Sequence, residues 1–186
     1  MRARGLSLFG LAVLIIGSGG IAREFARMVE PFEVELLVCQ RTATPFASRS
    51  FTPDELHSHL PDAVVVLLAA PLTSDTRGLM NAAAFSAMKS SAVLVNVARG
   101  GLVVTDNLVT ALRHETIAGA ALDVTDPEPL PAGHPLWSHP AALITPHSAD
   151  TPEMIVPLLA DRIVENVRRF AAGEPLVGVI DVITGY

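Results

Sequence analysis

The stretch Leu11–Ala22, LAVLIIGSGGIA, decides the fold of this chain. Its first six residues, Leu11–Ile16, are apolar without alternation, as a strand covered on both faces of a parallel sheet must be. The next six, Gly17-Ser18-Gly19-Gly20-Ile21-Ala22, satisfy the pattern Gly-x-Gly-x-x-Gly/Ala. There the first glycine permits a tight turn, the second lets the backbone approach a pyrophosphate, and a small third residue lets the helix pack closely on the strand. The helix that opens behind the turn offers N–H groups to phosphate.

The same stretch has a rival reading as a secretory leader, because Arg2 and Arg4 precede an apolar core from Leu6 to Ile16 and small residues follow it. The sequel decides against that. Residues 21–30 continue as an amphipathic helix whose expected apolar face is Ile21, Phe25 and Met28, and Val34–Cys39 follows as a second apolar strand at βαβ spacing.

Further out the alternation persists. A polar loop, Gln40–Ser50, leads to Thr52-Pro53-Asp54-Glu55, an N-cap, a proline at the first helical position and two acids in the first turn. Apolar strands are expected at Ala63–Ala69, Ala92–Val97, Ile117–Leu122 and Leu143–Thr145, with helices near Asn81–Met88 and from Thr105 to about His114. Asp123–Pro140 is too rich in proline for a regular element and long enough to be a functional loop. A helix is expected from Pro152 to Ala172, stopped by Gly173. The pattern predicts an α/β, Rossmann-like, doubly wound parallel sheet of about six strands with a C-terminal helix and tail. Residues 1–151 would form the dinucleotide-binding domain and 152–186 the helix and tail.

Composition narrows the function. With 186 residues, half of them hydrophobic, the chain can bury a substantial core, and a mean hydropathy of +0.44 without any 20-residue apolar run fits buried parallel strands. A formal net charge of −6 with no basic cluster argues against nucleic acid or an anionic membrane as partner. Cys39 is the single cysteine, so neither a disulfide framework nor a cysteine-based metal site is expected, and a reducing cytoplasm fits.

Open parallel sheets bind ligands outside the carboxyl ends of their strands, and Arg99, Asp123 and His147 stand at such ends, with Glu128 in the loop after Asp123. Four segments here resemble the D-isomer-specific 2-hydroxyacid dehydrogenases. They are PLTSDTRGLMN at Pro71–Asn81, NVARGGLV at Asn96–Val103, GAALDVTDPEPLP at Gly119–Pro131 and ITPHSA at Ile144–Ala149. The resemblance runs from about Leu6 to Tyr186. It implies an oxidoreductase, or its cofactor-binding portion, moving a hydride between NAD(P)H and a small 2-oxo or 2-hydroxy acid such as glyoxylate or hydroxypyruvate. Arg99 would bind the substrate carboxylate, His147 would exchange a proton with the substrate oxygen, and Glu128 would orient His147. Asp123 would help hold the nicotinamide carboxamide. By the same resemblance the cofactor would lie against Gly17, Ser18, Gly19, Gly20, Ile21, Gln40, Arg41, Ala70, Pro71, Thr76, Val97, Ala98 and Ser148, and a homodimer is implied.

The second strand ends Cys39-Gln40-Arg41, without the acid that accepts hydrogen bonds from ribose hydroxyls in NAD-specific dinucleotide folds, so NADP is favoured over NAD. Two departures from the family pattern stand out: the loop from Gln40 to Phe51 is short, and Asp150 occupies a position usually held by a small residue. The family also carries a substrate domain whose first part precedes the glycine-rich turn, whereas Met1 here lies close to the first strand. On that ground the chain alone is expected to bind dinucleotide without turning over substrate, and an inactive, corepressor-like dinucleotide sensor is the competing reading. The other histidines and Trp137 are expected to be surface, loop or packing residues.

Overall fold

A computed structural model of the protein describes residues 7–41 and 44–180; Arg2, Arg4 and the last six residues of the tail lie outside the described residues. The chain forms two compact units, one running to Pro146 and the other beginning at His147.

The first unit opens with β1 (Ala12–Ile16), turns through the glycines into α1 (Gly20–Val29), and returns through β2 (Glu35–Cys39) to β3 (Arg49–Phe51). A short helix α2 (Leu56–His59) leads into β4 (Val65–Leu68). Then come α3 (Ala82–Ala87), β5 (Val93–Asn96), α4 (Thr105–Arg113), β6 (Gly119–Leu122) and β7 (Ala142–Ile144). Among the described residues these seven strands form one parallel sheet in the order β3-β2-β1-β4-β5-β6-β7. The chain leaves β1 toward β2 on one side and comes back to β4 on the other, so the order reverses at the β1–β4 boundary, where doubly wound sheets open a ligand crevice.

Side chains alternate across each strand, and the unbroken apolar run of β1 therefore feeds two layers at once. Leu14 and Ile16 enter the cluster that contains Leu37, Val66, Leu68, Phe85 and Leu94. Val13 and Ile15 enter the other, with Ala22, Ala26, Val29, Leu36 and Val38. Full burial of each such aliphatic side chain contributes roughly 1.5–3 kcal/mol, so the strand that carries the glycine turn is firmly held in the sheet.

Two expectations need correcting. The sheet has a strand more than the six expected, because the end of the polar loop pairs with β2 as an edge strand, Leu37 opposite Arg49 and Cys39 opposite Phe51. Only Phe51 of its three residues is buried, so no alternation marks it in the sequence. The buried face of α1 is also not Ile21, Phe25 and Met28. Ala22, Ala26 and Val29 face the sheet, while Ile21 and Met28 are exposed. Small residues bring the helix axis close to the strands, and the bulkier ones are left on its flanks.

In the second unit Thr151 precedes α5 (Pro152–Ala172), which ends at Gly173 with φ +70°. The chain then folds back along this helix. The Asn166 carboxamide accepts from Val177 N–H at 2.8 Å and donates to the Val177 carbonyl at 3.1 Å. Leu158, Val167 and Phe170 stay largely exposed.

Candidate active site at the carboxyl edge of the sheet

The glycine turn sits at the carboxyl end of β1. Gly17 has φ +107°, and a Cβ there would stand 2.5 Å from the Ala69 carbonyl oxygen at the end of β4. Its N–H donates to the Cys39 carbonyl at 3.0 Å, and Ala69 N–H donates to Ile16 at 2.8 Å, so the turn is tied to the strands on both sides. Nothing lies within 4 Å of where a Cβ would project from Gly19 or Gly20. Gly19 caps α1 without a side-chain hydrogen bond, and no acid stands in the first turn. An open, uncharged helix start of this kind fits a pyrophosphate.

At the end of β2, Gln40 is half-buried, its N–H donating to Phe51 at 2.9 Å. Its side-chain Nε2 is buried without a hydrogen-bond partner, a donor arrangement that is unfavourable unless a ligand meets it. Arg41 beside it is exposed. Neighbouring Cys39 is no nucleophile: burial first, then the charges of Asp54 and Glu55, push its thiol up to about 12, so it stays protonated.

After β4 come Ala70 and Pro71, in a loop shaped by Thr76. Its hydroxyl donates to the Pro71 carbonyl at 2.7 Å and accepts from Thr73 N–H at 2.8 Å. The Thr76 side chain thus holds the turn that carries Ala70 and Pro71.

After β5 the chain passes Val97 and Ala98 to Arg99, an exposed residue in extended conformation whose Nη1 donates to the Ala98 carbonyl at 2.6 Å. Asn96, at the end of β5, is fully buried; its Nδ2 donates to the Arg99 carbonyl at 2.9 Å and its Oδ1 accepts from Ala98 N–H at 3.1 Å. Nothing in the motif reading had singled Asn96 out. The available signal was a lone carboxamide closing the apolar strand Val93–Asn96.

After β6, Asp123 is buried, its N–H bonded to the Asn96 carbonyl at 3.0 Å and its carboxylate accepting from the Thr145 hydroxyl. The loop beyond it touches the Arg99 loop directly, since a Cβ on Gly100 would overlap the Thr125 carbonyl. Thr105 Oγ1 donates to the Asp126 carbonyl at 2.6 Å, fastening the loop to the start of α4. Glu128 is exposed on this loop, its carboxylate 3.4 Å from Thr125 N–H. Within the first unit, then, Arg99, Asp123 and Glu128 come to one edge from adjacent strand ends and touching loops. His147 and Ser148 open the second unit, where His147 has the left-handed φ of +50°.

Several other residues have structural work. His134 and His139 accept from the N–H groups of Leu136 and Ala141, and Trp137 donates to the Pro131 carbonyl at 3.1 Å, which staples the proline-rich loop. His59, expected at the surface, is half-buried with its ring 4.0 Å from Phe51.

Comparison with known proteins matches residues 1–149 to the family model for the D-isomer specific 2-hydroxyacid dehydrogenase NAD binding domain. The chain is 41% identical over 134 residues to glyoxylate/hydroxypyruvate reductase A of Photorhabdus laumondii, covering 72% of this chain and 42% of that one. A D-isomer specific 2-hydroxyacid dehydrogenase from Xanthobacter autotrophicus Py2, solved with NADPH and MES, superposes with TM-score 0.86 at 35% identity, over 97% of this chain and 75% of that one. An NADPH-dependent glyoxylate/hydroxypyruvate reductase from Sinorhizobium meliloti, solved with NADP and sulfate, superposes with TM-score 0.88 at 28% identity, over 98% of this chain and 60% of that one. The chain spans about half the length of the curated relatives it matches.

Proposed function

Because the chain belongs to the D-isomer-specific 2-hydroxyacid dehydrogenase family, we propose that it is the cofactor-binding and catalytic portion of a reductase acting on small 2-oxo acids such as glyoxylate or hydroxypyruvate. The observation that carries this reading is that Arg99, Asp123 and Glu128 follow the carboxyl ends of the adjacent strands β5 and β6, on the same edge of the parallel sheet as the glycine turn.

Gly17, Gly19, Gly20 and the start of α1 would hold the pyrophosphate, Gln40 and Arg41 the adenosine ribose, and Ala70, Pro71, Val97, Ala98 and Asp123 the nicotinamide end. Bound NADPH would supply a hydride to the carbonyl carbon of the acid and leave as NADP⁺. The chain's residues do the rest. Arg99, a planar guanidinium with paired donors, grips the carboxylate and draws charge from the neighbouring carbonyl. His147 gives a proton to the carbonyl oxygen as negative charge grows there, so the 2-oxo acid leaves as the 2-hydroxy acid. The net charge of −6 supports a small-molecule rather than a nucleic-acid partner, and a homodimer in the cytoplasm is part of the same proposal.

The test is oxidation of NADPH by glyoxylate or hydroxypyruvate, run on the chain and on a chimera joining it to the remaining half of a two-domain relative. Arg99→Ala should raise KM about ten- to a hundredfold and lower kcat, since loss of a charged hydrogen bond acts both before and during reaction. An unchanged KM removes Arg99 from the carboxylate.

Cofactor choice follows from Gln40. An acid in its place would repel a 2′-phosphate, whereas Gln40 is neutral and the guanidinium of the exposed Arg41 is a donor suited to phosphate. NADPH is expected to bind at least about tenfold more tightly than NADH, an increment of about 1.4 kcal/mol that one such hydrogen bond can supply. Titration finding NADH the tighter ligand would overturn this assignment.

A further inference from the structure

We propose that Asn96 is the positioning residue of the substrate-carboxylate site, holding the Arg99 peptide in place and tying it to Asp123; this rests on the reading of Arg99 given above. The strand that ends in Asn96 is otherwise apolar, and the side chain is fully buried. A buried carboxamide is unfavourable unless its donor and acceptor are met, so its partners identify its role. Both partners lie in the next three residues. Oδ1 takes the Ala98 N–H, the i to i+2 bond of an Asx turn, and Nδ2 takes the Arg99 carbonyl. The Ala98 carbonyl is in turn capped by the Arg99 guanidinium. Three polar groups of the Ala98–Arg99 segment are therefore fixed from within the segment and its strand, which holds the main chain from which the Arg99 side chain projects.

The main chain of Asn96 makes the link to the neighbouring strand, because its carbonyl accepts from Asp123 N–H at 3.0 Å. One residue thus links the Arg99 segment that follows β5 to Asp123 at the end of β6. Only asparagine does this with a short side chain. Aspartate lacks the donor for the Arg99 carbonyl, serine reaches one partner rather than two, and leucine satisfies neither. A residue that merely filled the core would have no reason to bond Arg99.

The experiment measures affinity for oxalate, a non-reactive mimic of a 2-oxo acid carboxylate, at saturating NADP, on the same chain and chimera. Binding of 2′-phospho-ADP-ribose, which lacks the nicotinamide, reports on the fold and the glycine turn. Asn96→Ala should weaken oxalate about ten- to a hundredfold, because the Ala98 N–H loses its partner and the Arg99 carbonyl keeps only the Leu102 N–H, while 2′-phospho-ADP-ribose affinity holds. Asn96→Ser, which keeps a bond to Ala98 N–H, should recover part of the loss. Added to Arg99→Ala, Asn96→Ala should cost nothing more, because a positioning residue acts through the group it positions. If Asn96→Ala loses 2′-phospho-ADP-ribose binding as well, Asn96→Ser carries the test, and a serine variant with wild-type oxalate affinity overturns the proposal. Equal oxalate affinity in wild type and Asn96→Ala overturns it too, with the reading of Arg99 intact. Absence of oxalate binding in the wild type overturns the reading of Arg99 and this proposal together.

Discussion

His147→Ala is expected to lower 2-oxo acid reduction about 100- to 10,000-fold while dinucleotide affinity stays nearly unchanged, the range that a positioned general acid contributes. The residue stands in ITPHSA, and its backbone has the left-handed φ of +50° that a non-glycine residue seldom adopts. Such conformations are unfavourable by roughly 1–3 kcal/mol; Glu33 and Glu115 share this φ, so the role of His147 rests on its motif. Single-turnover rates separate the proposal from a structural role: the hydride-transfer step itself should slow, with the affinity for NADPH and the melting temperature held. A loss below about tenfold would take the proton-donor role away from His147.

Gly17→Ala should be the most damaging change at the nucleotide turn. The backbone is at φ +107°, and the new methyl would press on the Ala69 carbonyl oxygen 2.5 Å away. Strain of about 1–3 kcal/mol and overpacking of about 1–3 kcal/mol add in the same direction, so the melting temperature should fall by several degrees or more. Dinucleotide binding should fall with it, because the displaced atoms belong to Ala69 and Ala70, just beyond the carboxyl end of β4. Gly19→Ala is the informative contrast. No atom lies within 4 Å of its added methyl, so stability should hold while affinity drops, the methyl occupying the space that a pyrophosphate would need. Equal melting temperatures for wild type and Gly17→Ala would show that the turn relaxes and that the glycine is there for another reason.

What could be read without the structure was local. The glycine turn, the Thr52 N-cap with Pro53 and two acids behind it, the helix near Asn81–Met88 and the helix that begins at Pro152 and stops at Gly173 all depend on residues within a few positions of one another, and each is where the sequence places it. The unbroken apolar runs likewise announce strands buried on both faces, and alternation with helices makes the sheet parallel. Arg99, Asp123 and His147 were legible as candidates because they follow such runs, and Glu128 because it stands in the loop after Asp123.

Partners brought from afar were not legible. Strand β3 exists because β2 offers an edge to Arg49–Phe51, a pairing that three residues with a single buried side chain do not advertise. The buried face of α1 is chosen by how closely the helix must approach the strands, and so by Ala22 and Ala26 rather than by its largest apolar residues. Gly100 looks like a turn residue until the Thr125 carbonyl is found where its Cβ would be. Asn96 looks like the polar end of a strand until its bonds to Arg99 and its link to Asp123 are seen. The sequence by itself determined the alternation of the apolar strands with helices, the nucleotide turn and the candidate residues, because backbone geometry and hydrophobic period act over neighbouring positions. Which groups support those candidates was decided only by the tertiary structure, because burial and hydrogen-bond satisfaction depend on segments that meet across the sheet edge.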